Sequence, residues 1–372
     1  MSILFTPLKI NGLELKNRIV MPAMQLRLGM GNPRAQAYYL ARAQGGVGAI
    51  IMSATAVDLL CRDEAWGRPD GVARFVEKMR AFTSLIRANG ARIGIQLWHG
   101  NQFPAGNGGD DPNAAKVAPS AVEECRALTI GEIQAIIARF GQAAATAQAA
   151  GFDFVEVHGA HGYLVCQFFS GADNQRIDAY GGDLAGRMRF GLDVAQAMRA
   201  AVGPAFPIFF RLGAQEERPG GVTLDQSKPY AAALQQAGVD AFDVSIGKAK
   251  GRKASPLAKA KTGTFVPLAQ AIKTAVAVPV MAVGRINILA AATAALEIAG
   301  VDLVGVGRQL IADPQWPNKM RDGRGDQITA CLSCNTCFTP LDRKAWKPGD
   351  PICKVNPRAG REVDSEGVTS GK

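Results

Sequence analysis

The feature that most constrains this chain is a repeat of short, apolar, β-branched runs separated by longer stretches with helical character. Eight runs are read at residues 18–24, 48–53, 92–98, 154–158, 207–212, 241–246, 280–283 and 302–306. Runs this short and this continuously apolar suit parallel strands buried on both faces. The segments between them carry helix start and stop signals. Thr129-Ile-Gly-Glu132 has the spacing of a capping box, and the Ala/Gln-rich stretch after it stops at Gly151. Thr223-Leu-Asp-Gln226 opens another helix ending near Gly238, and residues 286–299 run up to Gly300. Eight strand-then-helix units predict an α/β chain closed as a (β/α)8 TIM barrel over residues 1–325. A cysteine-bearing segment follows at 326–361, and the polar stretch 362–372 is expected to be a disordered tail.

Length and composition agree. A barrel passes 200 residues as one domain, and this chain has 372, of which 48% are hydrophobic and 20% charged. No run reaches the roughly 18 apolar residues of a membrane span, and residues 1–10 lack a basic region followed by an apolar one. A cytoplasmic protein that binds neither membrane nor nucleic acid is expected, with homo-oligomerisation open. The formal net charge of +10 favours anions without naming one.

Two connections are long for this fold, 100–128 after the third strand and 247–265 after the sixth. Both fall at the carboxyl ends of strands, where barrel active sites form. The second holds six Lys or Arg between Lys248 and Lys261 and no acid. It reads either as a rim attracting an anionic substrate or redox partner, or as a solvated basic loop.

The residues that carry chemistry cluster at strand ends. His158 and His161, two of only three histidines, stand three apart after the fourth strand, with Tyr163 beside them. Imidazole N–H groups suit a carbonyl oxygen that gains negative charge, and a phenol is a proton donor. The alternative is a histidine pair that stabilises a loop. Gly284-Arg285 and Gly307-Arg308 end strands seven and eight, from which barrels commonly build a phosphate site; glycine admits backbone N–H groups and arginine adds charge-assisted bonds. Cys331, Cys334, Cys337 and Cys353 form C-x2-C-x2-C-x15-C. In a reducing compartment such clustering points to a metal site, either an iron–sulfur cluster or structural zinc. Cys61, Cys125 and Cys166 read as ordinary thiols.

His158-Gly-Ala-His161-Gly-Tyr163 and Asn174-Gln-Arg176-Ile-Asp178-Ala-Tyr180-Gly181-Gly182 resemble motifs of the Old Yellow Enzyme family of FMN oxidoreductases. The resemblance runs from Leu4-Phe5-Thr6-Pro7-Leu8 to Val355-Asn356-Pro357-Arg358-Ala359-Gly360. It implies non-covalent FMN held by Pro22, Ala23, Met24 and Gln25 at the end of strand one, by Ala54, by Gln96 at the pyrimidine edge and by Arg211 near N1 and O2. It also implies that Gly284, Arg285, Gly307 and Arg308 take the phosphate. His158 and His161 become a carbonyl-binding pair and Tyr163 a proton donor, with hydride from flavin N5 reducing an activated C=C bond of an unsaturated carbonyl or acyl-CoA. Within the family the four cysteines match the subgroup of 2,4-dienoyl-CoA reductase, enoate reductases and trimethylamine dehydrogenase, which implies a 4Fe–4S cluster.

Departures from that pattern shape the remaining expectations. The interval between the second and third cysteines is one residue shorter than usual. Gln25 replaces a common Thr or Cys, the segment 25–31 has no cysteine to tether FMN, and no histidine follows strand six. No dinucleotide-binding fingerprint is read after the fourth cysteine, so electrons are expected through the cluster from a separate donor protein. Two other roles remain open: a dehydrogenase that oxidises an amine or ring and exports electrons through the cluster, and an electron-transfer subunit of a larger complex.

Overall fold

A computed structural model describes residues 2–26, 28–29, 31–103, 115–122, 124–248, 261–338 and 352–365. Lys250, Arg252 and Lys253 of the basic loop, part of the cysteine segment (339–351) and the tail from 366 onward lie outside the described residues.

Eight strands close into a barrel: β1 (Ile19–Met21), β2 (Ala49–Ala56), β3 (Arg92–Trp98), β4 (Phe154–Gly159), β5 (Ile208–Gly213), β6 (Ala241–Ser245), β7 (Val280–Ala282) and β8 (Leu303–Gly305). Each pairs in parallel with its neighbours in sequence, and β8 pairs with β1 to shut the ring. All eight fall on the expected runs. β1 is shorter than the apolar run because Pro22 has no N–H for the ladder. β2 is longer and carries a register shift between Met52 and Thr55, an irregularity that re-aims side chains at a barrel rim.

A helix follows each strand: α1 (Pro33–Gln44), α2 (Gly71–Ala88), α3 (Ile130–Ala149), α4 (Leu184–Val202), α5 (Leu224–Gln236), α6 (Val266–Lys273), α7 (Leu289–Glu297) and α8 (Arg308–Ala312). The Thr129 hydroxyl accepts the Glu132 N–H (3.2 Å) while the Glu132 carboxylate takes the Thr129 N–H (2.9 Å), so the capping box forms as its spacing predicts. Gly151 and Gly300 adopt φ of 81° and 69° just past their helices, a backbone region that favours glycine.

The core has two parts. The larger lies between strands and helices and includes Phe140, Val157, Phe168 and Phe190. The smaller fills the barrel with Val20, Ile51, Phe154, Phe209, Met281 and Leu303. The antiparallel hairpin Leu8–Ile10 and Leu13–Leu15 adds Ile10, Leu13 and Leu15 to that cluster, which plugs the end of the barrel where the strands begin. Function is left to the other end.

The cysteine segment is bolted to α8 and α1. Gln309, buried, accepts the Cys331 N–H and donates to the Thr329 carbonyl, both at 2.9 Å. The Asn356 amide donates to the Ile311 carbonyl at 2.9 Å. Arg42, fully buried, has its guanidinium 3.6 Å from the Tyr38 ring centroid, donates to the Leu310 carbonyl and pairs with Glu362.

The plug gives a stability prediction. A Cβ at Gly94 would lie 2.3 Å from the Phe154 ring, and that ring is stacked on Phe209 at 4.4 Å. Gly94→Ala is therefore expected to cost about 1–3 kcal/mol by overpacking, read as a lower midpoint in urea unfolding.

Candidate active site

Strand alternation builds two polar layers above the plug. Gln96 on β3, Glu156 on β4, Arg211 on β5 and Asp243 on β6 form the deeper one, and all four are buried. Backbone pairing sets Gln96 opposite Glu156 and Arg211 opposite Asp243. The Gln96 amide donates to Glu156 Oε1 at 2.7 Å, and Arg211 Nη1 lies 3.1 Å from Asp243 Oδ2. Burial, reinforced by the charge of Asp243, pushes the Glu156 carboxyl up to about 8; Arg211 and the Gln96 bond oppose it. Asp243 is raised by the same loss of water, again against Arg211. In the sequence, Glu156, Asp243 and Ser245 are marked only as polar residues inside apolar runs; a closed barrel is what turns such positions toward one another.

The next layer holds His158 on β4, Trp98 on β3 and Ser245 on β6, joined by the loop after β4. That loop turns sharply: His161 and Gly162 take φ of 59° and 79°, and a Cβ at Gly159 would fall 2.3 Å from Phe210. The turn gathers three predicted residues. The His158 and His161 ring centroids are 5.2 Å apart, His158 and Tyr163 are 4.7 Å apart, and Tyr163 meets Trp98 edge-on at 5.3 Å. The Ala160 N–H points at His158 Nδ1 at 3.4 Å, a long contact consistent with the tautomer whose proton sits on Nε2. His161 Nε2 is 2.9 Å from Ser245 Oγ. Loss of water, then the His161 and Arg211 charges, lowers the His158 pKa well below its ordinary value. Desolvation and Arg211 lower His161 as well, although its side chain is open at the barrel mouth. The third histidine, His99, is buried behind the site and is pushed down to about 3 by burial and then Arg139.

The remaining predicted residues divide. Pro22 is buried and Ala23 and Met24 half-buried at the end of β1, while Gln25 is exposed. Ala54 sits at the β2 irregularity. A Cβ at Gly307 would approach Met24 Sδ at 3.0 Å and Pro22 at 3.6 Å, so the ends of β1 and β8 touch. Gly284 and Arg285 both adopt positive φ, 108° and 56°. Arg308 Nη1 donates to Asn335 Oδ1 at 2.5 Å, and Arg308 lines a pocket with Cys331, Cys334, Cys337 and Cys353. No group of three or more His, Cys, Asp or Glu side chains among the described residues is close enough to hold one metal ion. The Asn174–Gly182 signature is a brace. Asn174 donates to the Phe168 and Tyr180 carbonyls, both at 2.7 Å, and Arg176 ties Asp178 to the Pro119 and Leu128 carbonyls.

Residues 3–327 match the NADH:flavin oxidoreductase / NADH oxidase family. The chain belongs to that family. The Old Yellow Enzyme resemblance is thereby borne out.

This family member is 39% identical over 379 residues to an NADH oxidase of Thermoanaerobacter brockii, covering 96% of this chain and 56% of that protein. It is 36% identical over 374 residues to a metal reductase of Desulforamulus reducens, covering 98% and 55%. The chain thus spans about half the length of these curated relatives. A 2-naphthoyl-CoA reductase structure superposes with a TM-score of 0.84 at 27% identity, over 98% of this chain and 58% of that one.

The described residues fit the flavin that the family implies. Arg211 Nε is buried with no hydrogen-bond partner among the described residues, which leaves a charged donor available at the end of β5. Among the described residues, no helix is long and apolar enough to cross a membrane.

The site's electrostatics give a direct test. His158 is expected to stay neutral, as the Nε2–H tautomer, when the pH is taken from 8 down through about 6.5, where an ordinary histidine titrates. Nitrogen-15 NMR of the ring measures this, and a midpoint near 6.5 would contradict the burial and charge argument.

Proposed function

We propose that this chain is an FMN-dependent oxidoreductase that reduces a C=C bond conjugated to a carbonyl. The observation that carries the reading is the grouping of His158, His161 and Tyr163 at the open end of the barrel, above the Gln96–Glu156–Arg211–Asp243 layer. FMN, when bound, supplies hydride for the β-carbon.

The chain's own groups do the rest. Neutral His158 presents Nε2–H to the carbonyl oxygen. Ser245 Oγ lies 2.9 Å from His161 Nε2; in the tautomer where the hydroxyl donates, the ring would carry its proton on Nδ1 and present Nδ1–H as the second donor. Two such donors stabilise the oxygen as it becomes an enolate, and losing one costs about 10²–10³ in rate in comparable sites. The Tyr163 hydroxyl delivers the proton to the α-carbon, a contribution of about 10²–10⁴ for a positioned acid. Arg211 offers its Nε–H and positive charge to the flavin ring, which favours the anionic reduced form. Pro22, Ala23, Met24 and Ala54 would pack against that ring, Gln96 would serve its pyrimidine edge, and exposed Gln25 would stand beside it. Gly284, Arg285, Gly307 and Arg308 would hold the phosphate end. The 2-naphthoyl-CoA reductase likeness supports an acyl thioester as the substrate class.

We further propose that Cys331, Cys334, Cys337 and Cys353 ligate a 4Fe–4S cluster. All four line one pocket, and three closely spaced cysteines with a distant fourth are a donor set that would bind one thiolate to each iron of a cubane. The same four thiolates would suit a structural zinc ion, and the metal content distinguishes the two.

Two measurements test these proposals. Tyr163→Phe is expected to slow reoxidation of the reduced protein by an enone or enoyl thioester by about 10²-fold or more, while anaerobic reduction is nearly unchanged; equal effects on both halves would remove Tyr163 from the proton step. Anaerobically purified protein is expected to contain iron and acid-labile sulfide in equal amounts, both lost in Cys334→Ala. Zinc in their place would overturn the cluster.

A further inference from the structure

The deeper polar layer contains two acids and one cation, and all are out of water. Asp243 has Arg211 as its ion-pair partner at 3.1 Å. Glu156 has one neutral donor, the Gln96 amide, and its Oε2 is buried with no hydrogen-bond partner among the described residues. The strands packed around it add no second cation. β3 brings Gln96, β5 brings Arg211 and β6 brings Asp243. Beneath it, β1, β2, β7 and β8 bring Val20, Ile51, Met281 and Leu303 to the plug, none of them charged. A buried carboxylate beside a like charge, with no cation of its own, is costly, and the inexpensive state is the neutral acid.

We propose that Glu156 is a neutral carboxylic acid in the working protein, a positioning residue that holds the Gln96 amide and keeps the layer beneath the flavin at zero net charge. This inference rests on the flavin reading and adds a residue that the reading does not use. With Glu156 protonated, Asp243 and Arg211 cancel and the layer is neutral. With Glu156 ionised, the layer carries one negative charge close to the ring that Arg211 serves. That charge opposes the anionic reduced flavin and lowers its reduction potential. The proton leaves to bulk water, and no redox step is involved. Burial and the Asp243 charge place the change at about pH 8.

The Gln96 bond gives Glu156 a second effect. The bond to Glu156 Oε1 takes one of the two hydrogens of the Gln96 amide nitrogen and so fixes the orientation in which the Gln96 amide would meet the flavin edge. Glutamine at position 156 preserves a carbonyl oxygen for that bond, whereas alanine deletes it.

Infrared difference spectroscopy of the protein tests the protonation state without requiring flavin. Wild type should show a carboxylic-acid C=O band at neutral pH that disappears in Glu156→Gln. No such band at neutral pH, or a band that persists in Glu156→Gln and is lost in Asp243→Asn, would overturn the proposal. With FMN bound, the flavin midpoint potentials of wild type and Glu156→Gln should coincide near neutral pH and separate above about pH 8, wild type becoming the lower. Coincident curves throughout would also overturn it. Glu156→Ala should weaken FMN binding more than Glu156→Gln; equal affinities would remove the Gln96 role. A protein that takes up no FMN refutes the functional reading alone, since the infrared result stands without it.

Stability gives a separate check. The unfolded chain loses the Glu156 proton near 4.5, whereas the folded chain keeps it to about 8. Between those values the folded state binds the extra proton, so stability falls as the pH rises through the window. Glu156→Gln should show a flatter dependence there in denaturant melts.

Discussion

Closure of the parallel sheet is the constraint on which everything else depends. Because β8 pairs with β1, no barrel strand is left with an open edge, and every second residue is turned into a space that water cannot freely enter. What those positions carry decides what each level of the barrel can do. Apolar side chains and the N-terminal hairpin fill the lower levels and make them stable. Gln96, Glu156, Arg211 and Asp243 fill the next level, where removal from water alters every proton affinity. Only at the upper end is the closed ring both polar and accessible.

The two layers act on each other through charge. Arg211 depresses both histidines above it and partly offsets the rise at Glu156 and Asp243 below it. One guanidinium on β5 thus biases the imidazoles toward the neutral state, which can donate a hydrogen bond without carrying charge. It also leaves one N–H for a bound ring. Burial has the larger effect on each group, so the site's character comes from the barrel first and from the ion pair second.

The C-terminal cysteine segment is anchored to this frame. Gln309 clamps the backbone at Cys331, and Arg308, its neighbour in sequence, reaches Asn335 between the second and third cysteines. Both residues lie on the first turn after β8, the strand end that touches Pro22 and Met24 of β1. The cysteine loop is therefore held on the same element that borders the flavin-facing end of the barrel. Asn335 and Ser333 adopt positive φ there, so the tight loop is shaped by residues other than glycine and braced from α8.

Much of this was legible in the residues. Continuous apolar runs marked all eight strands because a strand buried on both faces has no polar alternation to obscure it. Thr129 and Glu132 marked a helix start because capping is local chemistry. His158, His161 and Tyr163 stand within six positions, so a single turn gathers them. The rest required three dimensions. Glu156 and Asp243 are 87 positions apart and become neighbours only when β5 lies between β4 and β6. Ser245 reaches His161 across the same strands, and Arg308 turns toward the cysteine loop for reasons that no neighbouring residue in sequence reveals. Local propensity and periodicity act within a few residues and determined the elements of this protein; burial and charge act between elements, and only the closed barrel decided which side chains share one dry layer.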